Sequence, residues 1–371
     1  MPTTTPAVWK DTFSPVADTD STQEGIKTIA LSNGNILSVW VDANDTTASG
    51  TGSDVVGQIF SPLGNPVGDP IYLNEDFGAN LDVFSVDVAA KDDGGFSIVY
   101  EFVNSSDNDD NGIIFMSFGA AGGSDPAFNN NIAREMLDNA FNYRNPQIVH
   151  RPDGSAVVVY EEDNNGALSI EAVIVNADGT MSGPDLVRAG GGDPIDPEIA
   201  LLANGDVVIA IEENDGADSD LEIWRLSDGN ISFDDDSVMD NGVDDVDPDI
   251  AALQSGGYVV TWERGGDIYG RIYDDTGTPT GVEVALVDTT ESTNEPQVIG
   301  LPDGGFFLVW DNDSALAVEG RRFDSAGAPV GGVITISDQD GFQPHVSLTT
   351  DGRILVSFEN LIDGGVYLDI L

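Results

Sequence analysis

Pro302-Asp303-Gly304-Gly305-Phe306-Phe307-Leu308-Val309-Trp310 sets a turn glycine six residues ahead of a large aromatic, with an apolar run between them. The same register recurs at Gly34/Trp40, Gly94/Tyr100, Gly154/Tyr160, Gly205/Ile211, Gly256/Trp262 and Gly352/Phe358, so the 371-residue chain holds seven units. Successive glycines are 60, 60, 51, 51, 48 and 48 residues apart. Periods of that length mark repeat architectures in which no unit buries its apolar surface alone.

The third unit shows the internal layout. Pro146 to Arg151 reads as a short extended run, Pro152-Asp153-Gly154 as a turn, and Ala156 to Tyr160 as a second strand. Glu161 to Gly166 reads as an acidic loop, Leu168 to Val175 as a third strand, and Met181 to Val187 as a fourth beyond the turn Asn176-Ala177-Asp178-Gly179. Four short strands joined by glycine-bearing turns make an antiparallel sheet. Seven such sheets hide most of their faces only when packed radially, which predicts a seven-bladed β-propeller of four-stranded blades. Small residues such as Ala89-Ala90, Ala251-Ala252 and Ile299-Gly300 suit strands crowded at the hub.

The strand count also predicts how the ring shuts. After Phe358 the last unit has only Gly365 to Leu371, enough for a third strand. The orphan run Ala7 to Thr12, within a segment of about residues 5–14, supplies the missing outer strand, making residues 1–371 one domain. A monomer is the expected state.

Composition narrows the function classes. With 66 acidic residues against 13 Lys and Arg, the net charge is −53, which excludes nonspecific nucleic-acid binding and disfavours anionic membranes. Such acidity calls for screening by salt or by divalent cations on clustered carboxylates. The absence of Cys removes disulfides, zinc thiolates and cysteine nucleophiles. Met1 to Lys10 lacks a Sec-type signal, and no apolar stretch is long enough for a membrane helix.

Pro302 to Trp310 with Gly320-Arg321-Arg322-Phe323-Asp324-Ser325-Ala326-Gly327, together with Ser255 to Glu263, Gly270 to Gly277 and Asp54 to Gly68, resembles the propeller repeats of large acidic secreted bacterial proteins of the RTX and calcium-binding type. The resemblance spans nearly the whole chain. It implies calcium, export by a type I-like route, and a secreted or cell-surface adhesion role; the glycine-rich calcium nonapeptide of such proteins is missing. The alternative setting is the cytoplasm of a salt-adapted organism.

Candidate chemistry collects at one end. The residue after the blade aromatic is acidic in six units: Glu101, Glu161, Glu212, Glu263, Asp311 and Glu359. Seven residues before each glycine, where the innermost strand begins, stand Lys27, Asp87, Gln147, Glu198, Asp249, Gln297 and His345. Five of these follow a proline that presets strand geometry: Pro146, Pro197, Pro248, Pro296 and Pro344. The ring is expected to surround the channel mouth, with Asp87, Gln147, Glu198, Asp249, Gln297 and His345 as candidate ligand-binding residues. Either the ring plugs a solvated channel and the acids form a hydrated face, or they converge on a ligand.

For Ca²⁺, Asp107, Asp109 and Asn111 match the opening of an EF-hand loop, although its twelfth position is Phe118, and Asp215, Asp218 and Asp220 alternate closely enough to share an ion. His150 reads as a hydrogen-bonded core histidine. Arg134, Arg144, Arg151 and Arg188 gather around the third unit, where an anionic sugar or surrounding acids could engage them. No phosphate loop, dinucleotide fingerprint or nucleophile elbow is present. These residues point to a non-catalytic extracellular module, stabilised by Ca²⁺, that binds a glycan or a protein on its acidic loop face. The alternative is a carbohydrate-active hydrolase or lyase at the channel mouth around Asp87, Glu198, Asp249 and His345.

Overall fold

A computed structural model describes residues 10–15, 22–43, 52–74, 81–104, 107–123, 130–135, 141–189, 192–235, 242–337 and 340–371. Among these residues there is no helix, and seven antiparallel four-stranded sheets form a seven-bladed β-propeller. The third blade is Phe141–His150, Ala156–Asn164, Ala167–Val175 and Met181–Ala189, paired in chain order. The expected loop from Glu161 to Gly166 is instead mostly strand: pairing runs on to Asn164 opposite Ala167, leaving a two-residue turn.

Each turn glycine has a backbone reason. The seven have φ between +84° and +96°, and at Gly34 the amide donates to Leu31 O at 2.8 Å while Leu31 N donates to Asn35 O at 2.8 Å. This is a tight turn followed by a left-handed residue, where glycine avoids the Cβ penalty. The partner residues Trp40, Tyr100, Tyr160, Ile211, Trp262, Trp310 and Phe358 are all buried, within apolar clusters that for the most part span adjacent blades. Crowding at the hub is equally concrete. A Cβ on Gly300 would sit 2.1 Å from Ala252 O of the preceding blade.

The ring closes as the strand count requires. The seventh sheet takes Gly341–Leu348, Ile354–Asn360 and Val366–Ile370, and its fourth strand is Lys10–Phe13, with Lys10 opposite Ile370 and Phe13 opposite Leu368. Trp9 and the rest of the expected N-terminal segment before Lys10 lie outside the described residues. Side chains add a second closure: Glu359 accepts from Gly25 N at 2.6 Å, and Ser347 Oγ donates to Thr28 O at 2.6 Å.

Candidate functional site

A repeated bulge builds the channel mouth. Two residues ahead of six of the seven ring positions, Gly25, Asn145, Asp196, Asp247, Glu295 and Gln343 have φ between +47° and +64°. At each, strand register slips, as between Ile195 and Glu198 or Val246 and Asp249. Five of these residues directly precede the prolines singled out above, which steer the preceding residue away from the right-handed helical region. Bulges re-aim side chains, and non-glycine residues held at positive φ store strain that clusters at functional sites. The second polar circle so formed was not read from the sequence. Its signal was the residue before each proline.

Two adjoining cavities of about 340 and 310 Å³ open here, sharing Gly25, Lys27, Asp196, Glu198 and Gln343. The larger also holds Asp247, Glu295, Gln297, His345 and Glu359; the smaller adds Gln147 and an aromatic, Phe84, that is 60% exposed. Of the ring, Asp87 and Asp249 line neither cavity. They brace the hub instead. Asp87 accepts from Ile148 N at 2.8 Å and Asp249 from Val298 N at 2.5 Å, each reaching the next blade. Gln147 Nε2 likewise donates to Glu198 Oε1 at 3.0 Å, and Thr28 N donates to His345 Nδ1 at 3.3 Å, leaving the His345 proton on Nε2.

Removal from bulk water dominates the electrostatics. It raises Asp87, pushes Asp249 up to about 7, and raises Glu198 well above the carboxylate range, with the charge of Asp249 next in effect on Glu198. Lys27 opposes all three shifts; on Glu198 it works against burial and against the charges of Asp249, Asp87 and Asp196. Asp196 is also pushed up to about 7, first by burial and then by Glu161, Glu212 and Asp247. His345 is held well below its usual range by burial and by Lys27, so it is neutral. Burial thus favours the protonated form of Glu198, while Asp196 titrates near neutral pH.

The acids after the blade aromatics are not a hydrated face. Glu161, Glu212, Asp311 and Glu359 are buried. Glu161 Oε1 accepts from Asp196 N and from Asn145 Nδ2, both at 2.8 Å, and Glu101 and Glu212 cap the amides of Asn145 and Asp247. Glu101, Glu161, Glu212 and Glu359 thus latch their blades to the left-handed residue of the next, whereas Glu263 accepts from Gly266 N within its own blade. Long-range pairing of this kind left no local mark in the sequence.

The expected metal sites fare differently. Asp107, Asp109 and Asn111 lie in the strand Asp107–Phe118, paired with Phe96–Asn104, so the backbone there is extended and does not curl as an EF-hand loop must. Asp215 Oδ1 accepts from Ala217 N at 2.8 Å within a hairpin turn, and its oxygens do not converge with those of Asp218 and Asp220. Among the described residues, one carboxylate group has oxygens within 4.8 Å of one another: Asp196, Glu212 and Asp247. A hard cation takes oxygen ligands, and this triad offers three of the six to eight that Ca²⁺ uses. The acidic run at residues 244–247 dissolves into single jobs, with Asp244 accepting from Ser219 N and the fully buried Asp245 gripping Arg264 at 2.5 and 2.9 Å. Of the clustered arginines, Arg144 pairs with Asp163 and Arg188 with Glu213 and Glu222; the Arg134 side chain lies outside the described residues.

No family model and no curated protein matches this chain. Solved structures do match in shape. A protein of unknown function from Dyadobacter fermentans is 12% identical with a TM-score of 0.58, over 97% of each chain. The Hadza microbial sialidase Hz136 is 8% identical with a TM-score of 0.58, over 94% of this chain and 65% of its own. The α-L-arabinanase of Penicillium chrysogenum, solved with arabinobiose, is 12% identical with a TM-score of 0.55, over 99% of this chain and 98% of its own. At such identities the likeness establishes a shared fold.

Proposed function

We propose that the chain is a carbohydrate-active hydrolase whose site is the channel mouth. The observation that carries this reading is a solvent-open mouth lined by Glu198, Asp196 and Asp247 together, where burial favours the protonated form of Glu198. Glycoside cleavage needs one carboxyl to protonate the leaving oxygen and a second, ionised, to act on the sugar or on water. Glu198 takes the first role in this reading, and Asp196 or Asp247 the second. Gln297 and Gln343 offer amide donors and acceptors to hydroxyls, and the exposed Phe84 face suits a sugar ring. The sialidase and the arabinanase, both sugar-directed on the same fold, support the reading. Ca²⁺, if it belongs to the mouth, would be held by Asp196, Glu212 and Asp247.

The test is release of reducing ends from a panel of glycosides and polysaccharides. Glu198→Gln should lower cleavage about 10²-fold or more while sugar binding persists. Saturable sugar binding by the unaltered chain with no cleavage of any substrate would replace this reading with the second one. A specific observation favours that second reading: Glu198 and Asp249 already serve as inter-blade braces. On it, the mouth is a non-catalytic, extracellular glycan- or protein-binding surface.

A further inference from the structure

The two cavities of the mouth share a wall of Gly25, Lys27, Asp196, Glu198 and Gln343, and each reaches the size of a small-ligand site. Of the two, only the larger is lined by Gln297 and only the smaller by Phe84. Resting on the hydrolase reading of this mouth, we infer that its substrate is an uncharged oligosaccharide laid across both cavities, with the bond to be cut at the shared wall and a sugar ring on the Phe84 face. Cleavage there breaks a glycosidic C–O bond whose leaving oxygen takes the proton of Glu198. Over the full turnover, water leaves its hydroxyl on the other sugar and returns a proton to Glu198.

Charge sets the substrate class. Among the described residues, Glu24, Asp196, Glu198, Asp247, Glu295 and Glu359 line the mouth against one cation, Lys27. Burial raises Glu359 and Glu295, and neighbouring charge raises them further, Glu24 and Glu295 acting on Glu359 and Asp247 on Glu295. A carboxylate ligand would add to that repulsion, because like charges brought together in a binding site are penalised. Sugar carboxylates are best held by a guanidinium fork, and no arginine lines the mouth among the described residues. Of the arginines around the third unit, Arg144 and Arg188 are paired to acids. Arg151 lines a different cavity at the short-turn end, beside His150, whose Nε2 bonds to Ser97 Oγ at 3.0 Å. What the mouth offers instead is neutral. Gln297 and Gln343 spend no side-chain amide on the described residues, so donors and acceptors remain for hydroxyls.

Phe84 owes its place to a departure from the repeat. In the other six blades the bulge at the mouth carries a left-handed residue, whereas in the second the register slips between Val83 and Ser85 and leaves Phe84 as the extra, exposed residue. A bulge re-aims a side chain, and here it sets an aromatic face at the edge of a polar cavity. Such a face accepts the apolar side of a sugar ring and gives no hold to a charge of either sign beyond its weak quadrupole.

The experiment is calorimetric titration of the full chain carrying Glu198→Gln, which spares the ligand from cleavage. The probes are arabinose, xylose and glucose against their linear tetramers, together with two charge pairs: lactose against 3′-sialyllactose, and methyl-esterified against free trigalacturonate. At least one neutral oligosaccharide should bind saturably, about 10-fold or more tightly than its monomer. In any pair that binds, the acidic member should be about 10-fold weaker or worse, with the gap narrowing in high salt. Adding Phe84→Ala should lose about 10-fold of the oligosaccharide affinity, and Phe84→Trp should keep it. The proposal is overturned by an acidic sugar that binds as tightly as its neutral partner, by a tetramer no tighter than its monomer, or by undiminished oligosaccharide binding in the Phe84→Ala chain. Each of those results leaves the hydrolase reading standing so long as the unaltered chain releases reducing ends. Absence of both binding and cleavage across the whole panel overturns the two together.

Discussion

At the scale of single residues, buried carboxyls of the mouth and the hub tie stability to pH with an inverted sign. Asp196 and Asp249 are pushed up to about 7, mainly by burial, from a model-peptide value near ~3.9. A carboxyl whose folded pKa lies above its unfolded one binds more protons in the folded state between those values. Its contribution is therefore complete below the unfolded pKa and is lost as pH rises through the folded one. The melting temperature should fall between about pH 4 and pH 7, and Asp249→Asn should flatten that slope. A flat or rising profile in the unaltered chain would refute the assignment. The latch residues give a second prediction at this scale. Glu161→Ala strips acceptors from both Asp196 N and Asn145 Nδ2, so urea unfolding should show a loss of about 1–3 kcal/mol, with Glu161→Gln recovering part of it.

At the scale of the element, the hairpin between the two inner strands separates two kinds of glycine. Gly304 has φ +94° with open space where a Cβ would go, so Gly304→Ala costs only backbone strain, about 1 kcal/mol. Gly300 is spared positive φ, but its Cβ would strike the backbone of the neighbouring blade. Gly300→Ala should shift the urea midpoint further than Gly304→Ala; equal shifts would mean that hub packing is looser than drawn. The same contrast explains what the sequence made legible. A turn glycine and its aromatic are six residues apart in one hairpin, so their requirement is written locally and repeats visibly, which sufficed for blade number and closure. The mouth is assembled from contacts such as Glu161 with Asp196, 35 residues apart, and Glu359 with Gly25, 334 apart. Identical acids can latch, line a cavity or face solvent, and only the partner decides which.

At the scale of the whole molecule, closure of the ring rests on two independent devices, a borrowed strand and a set of side-chain latches. Removing residues 1–13 takes away Lys10–Phe13 and leaves Val366–Ile370 as an unpaired edge, an open template for another chain. The latches survive that deletion: Glu359 to Gly25 N, Ser347 to Thr28 O, and Gln23 N to Gly364 O at 3.0 Å still join the seventh blade to the first. The shortened chain should therefore keep its far-UV spectrum yet melt earlier, by at most about 2–4 °C per kcal/mol lost. It should also self-associate as concentration rises, and increasingly so in salt, because a net charge of −53 otherwise keeps copies apart. Scanning calorimetry and sedimentation at two salt concentrations separate the effects. An unchanged melting temperature with no association would show that the latches alone hold the ring, whereas collapse of the spectrum would show that the borrowed strand is the device on which the other depends.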